Sequence, residues 1–79
     1  MKIPRSISGE ELVKLLRKFG YEKTGQKGSH IKVTTTKNGQ HHLAIPNHNP
    51  IKIGTLNSIV NKVAAHFNKS KEEILELLF

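Results

Sequence analysis

A short segment in the first half of the chain groups side chains that suit the binding of a phosphodiester. Residues 26–30 read Gln-Lys-Gly-Ser-His, so an ammonium, a hydroxyl and an imidazole follow one another around a glycine. Gly28 lets the backbone turn tightly and lets a bulky anion approach, while Lys27 supplies positive charge. A solvent-exposed imidazole titrates near pH ~6.5, so His30 is a candidate to take or give a proton at cellular pH. A surface histidine without a catalytic role is the alternative for this segment taken alone.

Three further histidines raise the question of a metal site. His41 and His42 are adjacent and His48 follows after a turn, so their imidazoles could meet at one point. Adjacent residues of a strand point to opposite faces, however, so His41 and His42 cannot easily share an ion. We therefore favour a solvated histidine cluster and predict neither a metal nor a cofactor. The chain also lacks phosphate-loop and dinucleotide-binding motifs.

The charge balance indicates a polyanionic partner. The sequence has 13 Lys and Arg against 6 Asp and Glu, a formal net charge of +7, and no acidic residue between Lys23 and Lys71. Such an excess in a small domain is typical of nucleic-acid binding, and a solubilising surface is the alternative. Only 5% of the residues are aromatic, so base stacking is not expected to carry recognition.

The length of 79 residues predicts a single domain, 1–79, and excludes a multi-domain enzyme. Because the chain has no cysteine, packing alone must hold the fold, which excludes a disulfide scaffold. No apolar run approaches the length of a membrane span, and Met1 to Pro4 are not followed by the apolar stretch of a signal peptide. We therefore expect a cytoplasmic protein with no membrane partner.

The first element that must position these groups is a helix. Ser8 and Glu11 have the spacing of a capping box. The apolar residues that follow recur at helical spacing as far as Phe19, and Gly20 is placed to end the helix in a left-handed cap. We predict this helix over about Gly9 to Phe19.

Two strands are expected after this helix. The first is a short polar run from Tyr21 to Gln26. In the second, Ile31 and Val33 alternate with polar residues, the pattern of a strand with one buried face. This alternation predicts that His30 and Lys32 point outward together.

A third strand is expected after a tight turn. Asn38-Gly39 is a strong signal for a two-residue type I′ hairpin turn, which needs positive φ at both positions. In the strand that follows, Leu43 and Ile45 are expected to face the core and to leave His42 and Ala44 outside.

The remaining elements are a loop and two helices. Pro46 to Pro50 cannot continue a strand ladder, and Thr55 is the expected N-cap of a second helix that ends near His66 to Asn68. Ser70 repeats the capping-box spacing before a short third helix. The order α-β-β-β-α-α, with strand connections too short for a parallel crossover, predicts an α+β fold. Its sheet is three-stranded and antiparallel, with helices on one face.

Three short motifs, in their order along the chain, closely resemble the HicA family of toxin mRNA interferases. They are Gly28-Ser29-His30, Ile45-Pro46-Asn47-His48 and Gly54-Thr55-Leu56. The likeness spans nearly the whole chain in length, element order and motif spacing. It implies a fold like the double-stranded-RNA-binding domain. It also implies that His30 is the catalytic histidine of the family, with Gly28 as the glycine of the same motif.

The resemblance implies a toxin of a type II toxin–antitoxin system that cleaves mRNA without a metal, with a HicB-type antitoxin as its protein partner. By analogy with metal-independent ribonucleases, we expect His30 to remove a proton from a ribose 2′-OH. His48 and Lys27 are the candidates for the general acid. The residues expected to bind RNA are Lys27, Gly28, Ser29, Lys32 and His48. The alternative function is a noncatalytic module that binds double-stranded RNA or another nucleic acid.

Overall fold

The computed structural model describes residues 6–79. Its elements are, in chain order, α1 (Gly9–Leu16), which continues into a 3-10 turn (Arg17–Phe19), β1 (Glu22–Lys27), β2 (His30–Thr35), β3 (His41–Pro46), α2 (Ile53–Phe67) and α3 (Lys71–Leu78). Met1 to Pro4, on which the signal-peptide prediction rests, lie outside the described residues. Within residues 6–79, no helix combines the length and the apolar character needed to cross a membrane.

The three strands form one antiparallel sheet in the order β1-β2-β3. The helices pack on one face of this sheet and leave the other face open. The predicted α-β-β-β-α-α order and α+β class are therefore confirmed. In β2, Ile31 and Val33 are buried while His30 and Lys32 are exposed, as the alternation predicts.

The third strand also alternates as predicted, but it ends one residue later than predicted. Leu43 and Ile45 are buried, and the side chains between them are exposed. The strand runs to Pro46, which is the Cα partner of His30, instead of ending before the proline. Proline is tolerated here because it is the last residue of an edge strand, where a missing N–H does not interrupt the ladder.

The core lies between the sheet and the helices. The helices, β2, β3 and Tyr21, which precedes β1, contribute apolar side chains to it. Those that are at most 1% exposed include Leu12, Leu16, Tyr21, Val33, Ile45, Leu56, Val60, Val63, Ile74 and Leu78. Thr35 is also buried, and its hydroxyl donates to the carbonyl of Phe19 at 2.8 Å and accepts from the N–H of Lys37 at 3.1 Å. Because the hydroxyl has both partners, burying it costs little.

Most of the predicted helix ends are confirmed. Ser8 and Ser70 cap α1 and α3, and each makes both hydrogen bonds of its capping box. Gly20 adopts the left-handed conformation with φ 82°, directly after the 3-10 turn. Asn68 does the same after α2, with φ 54°. The last three residues of the predicted first helix form the 3-10 turn, not α-helix.

The predicted start of α2 is wrong. Thr55 lies inside the first turn of the helix, because α2 begins at Ile53 and its N-cap is Lys52. The earlier start follows from Ile51, which is buried and whose N–H donates to the carbonyl of Ile7 at 2.8 Å. This long-range anchor holds the chain against the core just before the helix, and it outweighs the local preference of threonine for a cap.

The connection between β2 and β3 is longer than predicted. Asn38 and Gly39 do have positive φ, 57° and 95°. The last paired residues are Thr35 and His41, however, so residues 36–40 intervene instead of a two-residue turn. The longer loop reaches α2, where the side-chain amide of Asn38 donates to the carbonyl of His66 at 2.7 Å.

A stacked pair of histidines holds this loop against α2. The rings of His41 and His66 lie 4.4 Å apart, centroid to centroid, with 11° between their planes. Nε2 of His66 lies 2.9 Å from the carbonyl oxygen of Lys37 and 3.1 Å from that of Gly39. Nδ1 of His41 lies 2.7 Å from the hydroxyl of Tyr21. The predicted solvated histidine cluster is therefore wrong for His41, which is half-buried.

The surroundings of His41 favour its neutral form. Burial, and after it the neighbouring His66, His42 and Lys62, lowers the pKa of His41 below its usual value of 6.5. Burial also raises the pKa of Tyr21 to about 12, so this hydroxyl stays protonated and can donate to the imidazole. The folded protein therefore binds a proton at His41 less readily than the unfolded chain does.

We expect the protein to lose stability as the pH falls below about 6.5. The stabilisation linked to His41 is fully present above its unfolded-state pKa and is lost as the pH falls through the lowered folded-state pKa. Urea unfolding at several pH values between about 7.5 and 5 measures this loss. The variant His41→Gln does not titrate, so its profile should be flatter. Equally steep profiles for the variant and the parent would contradict the assignment.

Candidate active site

The open face of the sheet carries a concave surface that contains part of the predicted site. It has a volume of about 440 Å³ and is lined by Gly25, Gln26, Lys27, His30, Lys32, His42, Leu43 and Ala44. Two lysines and two histidines of this lining can carry positive charge, and none of the described residues that line it is Asp or Glu. The surface therefore suits an anionic ligand.

A β-bulge in β1 determines which residue faces His30. The register between β1 and β2 shifts between Lys23 and Gly25, so Thr24 is an extra residue in β1. With this bulge, Lys27 is the Cα partner of His30. Without it, the pairing beyond the bulge would slip by one residue and Lys27 would leave its place opposite His30.

Gly28 and Ser29 form a two-residue turn between Lys27 and His30. Gly28 has φ +59°, and a positive φ at the first turn residue alone is the pattern of a type II′ hairpin. Apart from its chain neighbours, no atom lies within 4 Å of the place where a Cβ of Gly28 would be. The backbone conformation, not close packing, therefore requires glycine. The tight hairpin is found at this turn and not at Asn38-Gly39.

The segment after β3 is attached both to this turn and to α1. The N–H of Asn47 donates to the carbonyl of Ser29 at 2.6 Å, and the N–H of Gly9 donates to the carbonyl of His48 at 3.0 Å. A Cβ on Gly9 would collide with the carbonyl oxygen of Pro46, so α1 packs directly on the end of β3. These contacts hold the loop after β3 beside the two-residue turn.

The structure brings together three of the six residues predicted for the site. Those that line the concave surface, all of them exposed, are Lys27, His30 and Lys32. Gly28 and Ser29 form the turn that joins the first two. His48 is exposed on the loop after β3 and does not line the surface.

Five residues without a predicted role in the site also line the surface, and two of them, Gln26 and His42, have polar side chains. Strand alternation predicts that His42 is exposed, but not that its Nδ1 lies 2.7 Å from the hydroxyl of Thr34. His41 bonds to Tyr21 on the helical side of the sheet, so the two adjacent histidines do face opposite ways. Within residues 6–79, no group of three or more His, Asp or Glu side chains could hold a metal ion.

A second concave surface lies where β1 meets α1. It has a volume of about 220 Å³ and is lined by Glu10, Val13, Lys14, Arg17, Lys23, Gln26, Ile31 and Asn47. Three cations of this lining face one carboxylate. Gln26 lines both surfaces, so the two cation-bearing surfaces adjoin at the edge of β1.

A family model described as HicA toxin of bacterial toxin-antitoxin matches residues 9–65 of the chain. The match begins at the first residue of α1, contains the whole sheet and extends into α2. It therefore includes every residue that lines the concave surface of the open face. No curated protein and no solved structure gives a significant match to the chain.

We expect Gly28→Ala to destabilise the protein by about 1–2 kcal/mol, because a side chain at this positive φ meets its own backbone. Gly25→Ala is the matched control. A Cβ there meets no atom within 4 Å and no positive φ is required, so its free energy of unfolding should change by less than about 0.5 kcal/mol. Urea denaturation of the two variants measures the difference. Equal stabilities would show that the turn does not require glycine.

Proposed function

Because this chain belongs to the HicA family of toxins from bacterial toxin–antitoxin systems, we propose that it is a metal-independent endoribonuclease that cleaves messenger RNA. His30 is the proposed catalytic residue. Lys27 and Lys32 are the proposed phosphate-binding cations. The fold agrees with the double-stranded-RNA-binding-domain-like arrangement of the family, a three-stranded antiparallel sheet with helices on one face.

The observation that supports this proposal most directly is the position of His30. It is exposed on the concave surface, its Cα partner is Lys27, and Lys32 follows on the same face of β2. An imidazole on the same surface as two lysines can accept a proton while the phosphate beside it is bound by positive charge. No carboxylate among the described lining residues would repel that phosphate.

In this proposal, His30 acts as the general base. It takes the proton of a ribose 2′-OH, and the 2′-oxygen forms a bond to the adjacent phosphorus. The bond from phosphorus to the 5′-oxygen of the next nucleotide then breaks. The products are a 2′,3′-cyclic phosphate and a 5′-hydroxyl, which receives its proton from a general acid. Lys27 and Lys32 offset the negative charge that develops on the phosphate oxygens.

Of the two candidates for the general acid, the geometry favours Lys27. It lies directly across the hairpin from His30 and lines the same concave surface. His48 lies on the loop after β3 and does not line that surface. We therefore assign proton donation to Lys27 in the proposed reaction.

A noncatalytic RNA-binding module is the second candidate function, and the basic surface between β1 and α1 favours it. Lys14, Arg17 and Lys23 lie there, outside the lining that contains His30. Phosphate contacts by these cations would supply affinity without any chemistry. The two candidate functions agree on RNA affinity and differ on the effect of removing His30.

We also propose where the antitoxin binds. A toxin of this family acts with a cognate antitoxin. The concave surface is lined by two lysines, and none of its described lining residues is Asp or Glu. An acidic surface of a HicB-type antitoxin would complement it and would speed encounter. By covering His30, Lys27 and Lys32, such an antitoxin would exclude RNA directly.

We expect His30→Ala to abolish growth arrest on expression and nearly all RNA cleavage in vitro. Thermal unfolding should be unchanged and most RNA affinity should remain, because the side chain is exposed and makes up only part of the cationic surface. Lys62→Ala, at an exposed position of α2, is the control and should stay toxic. Equal toxicity of His30→Ala and the wild type at matched soluble levels would contradict the ribonuclease proposal.

We expect antitoxin binding to slow amide hydrogen exchange over Gly28 to Thr34, because occlusion covers the turn and the exposed face of β2. Amides over Leu56 to Phe67, on the helical side, should exchange as in the free toxin. Mass spectrometry of the free and bound toxin measures both segments. If protection appeared only over Leu56 to Phe67, steric occlusion would be wrong and inhibition would act from the helical side.

A further inference from the structure

A row of three hydrogen-bonded side chains crosses the open face, one from each strand. The hydroxyl oxygens of Thr24 and Thr34 lie 2.9 Å apart, and the hydroxyl of Thr34 lies 2.7 Å from Nδ1 of His42. Thr34 and His42 are also Cα partners across β2 and β3. Since Nδ1 is the nitrogen that is held, a ligand on this face would meet Nε2.

The bulge in β1 provides the outer end of this row. By register, Glu22 is the Cα partner of Thr34, and Thr24 is the extra residue that follows. Bulges re-aim side chains, and this one lets the hydroxyl of Thr24 reach that of Thr34. The irregularity that sets Lys27 opposite His30 therefore also supports the row.

The two hydroxyls accommodate both charge states of the ring. When Nδ1 of neutral His42 accepts from Thr34, Thr34 accepts from Thr24 and the ring proton lies on Nε2. When the ring is protonated, Nδ1 donates to Thr34 and Thr34 donates to Thr24. In either arrangement Nε2–H donates away from the row, which suits an anionic oxygen.

His42 shares the concave surface with His30 but lies too far away to act on the same bond. Its partner Thr34 is four residues after His30 in β2. At ~3.3 Å per residue, the two histidines are separated by about 13 Å along the strands. A strand of RNA with its scissile phosphate at His30 would therefore present a different phosphate to His42.

The surface between the two histidines suits a sugar–phosphate backbone. Lys32 and Ala44 are Cα partners midway between them and both line the concave surface. The small side chain of Ala44 leaves room for a ligand between the two histidines, and Lys32 adds positive charge. No Phe, Tyr or Trp lines this surface within the described part of the chain, which favours phosphate over a stacked base as the bound group. Glu22 lies outside the lining.

We propose that His42 is a second RNA-binding residue, which donates from Nε2 to an oxygen of a phosphate further along the RNA strand than the cleaved one. Thr34 and Thr24 are its positioning residues, because they orient the ring without touching the RNA. The inference rests on the proposed ribonuclease function. It adds to that function a path for the substrate across the open face, since the RNA strand then runs from His30 past Lys32 to His42.

RNA affinity in a His30→Ala background tests this inference, because that parent binds RNA without cleaving it. A single-stranded RNA oligonucleotide is the probe, and fluorescence anisotropy at low salt measures its dissociation constant. His42→Ala should weaken binding about tenfold or more, the effect of losing one hydrogen bond to a charged group. Thr34→Val, which frees the ring, should weaken binding about twofold, a fraction of one hydrogen bond, and Thr34→Ser should restore the parent affinity.

Two controls accompany these variants. Thr36→Val, in the loop over residues 36–40, makes the same chemical change away from the row and should leave RNA affinity unchanged. Thermal melts confirm that each variant folds. Thr24→Val perturbs the other end of the row and should act in the same direction as Thr34→Val, so the positioning role stays testable if Thr34→Val does not fold.

Lys32→Ala in the same His30→Ala background distinguishes failure of the His42 inference from failure of the ribonuclease proposal. If it weakens RNA binding while His42→Ala does not, the RNA uses the concave surface without His42 and the inference is overturned alone. If the parent binds no RNA, or if neither Lys32→Ala nor His42→Ala weakens binding, RNA does not use the concave surface and the ribonuclease proposal at His30 is contradicted as well. A loss of antitoxin affinity without a loss of RNA affinity in His42→Ala would assign Nε2 to a protein carboxylate and would also overturn the inference.

Discussion

The register of β2 between its two neighbours is the constraint on which the rest of the structure depends. Ile31 and Val33 are buried against the helices, and the period of two then sends His30, Lys32 and Thr34 to the open face. A slip of one residue would expose the apolar pair and bury the polar residues without partners. The hydrophobic burial that stabilises the fold therefore also determines which groups a ligand meets. The bulge at Thr24 acts within this constraint, because it changes what lies opposite β2 without moving β2 itself.

The features that could be predicted from the sequence are those that depend on a few neighbouring residues. A capping box needs only a serine and a glutamate three residues apart, and Ser8 and Ser70 both form one. Alternation in β2 and β3 follows from the strand period, so the shared exposure of His30 and Lys32 could be predicted as well. The residues of the candidate site could thus be predicted wherever the local sequence pattern agreed with the burial of the strand.

The features that could not be predicted depend on partners that are distant in the chain. The hydroxyls of Thr24 and Thr34 are 10 residues apart, and no local pattern marks the bulge that joins them. Asn38 bonds to His66 across 28 residues, which explains why Asn38-Gly39 sits in a longer loop instead of a two-residue turn. Long-range contacts of this kind override local propensity, as they also do at the start of α2. In the candidate site, neither the pairing of Lys27 with His30 nor the orientation of the His42 ring could be predicted, for the same reason.

The two faces of the sheet differ in burial and in charge. The helical face holds the apolar core, so the side chains of the open face are released from packing and can carry like charges close together. Their mutual repulsion, in a chain with a formal net charge of +7, is relieved when a polyanion binds. In the proposed function, an RNA backbone and an acidic antitoxin surface both bind the open face and therefore use the same lysines and histidines. Under that proposal, competition between the substrate and the inhibitor follows from a sheet with a single open face and requires no conformational change in the toxin.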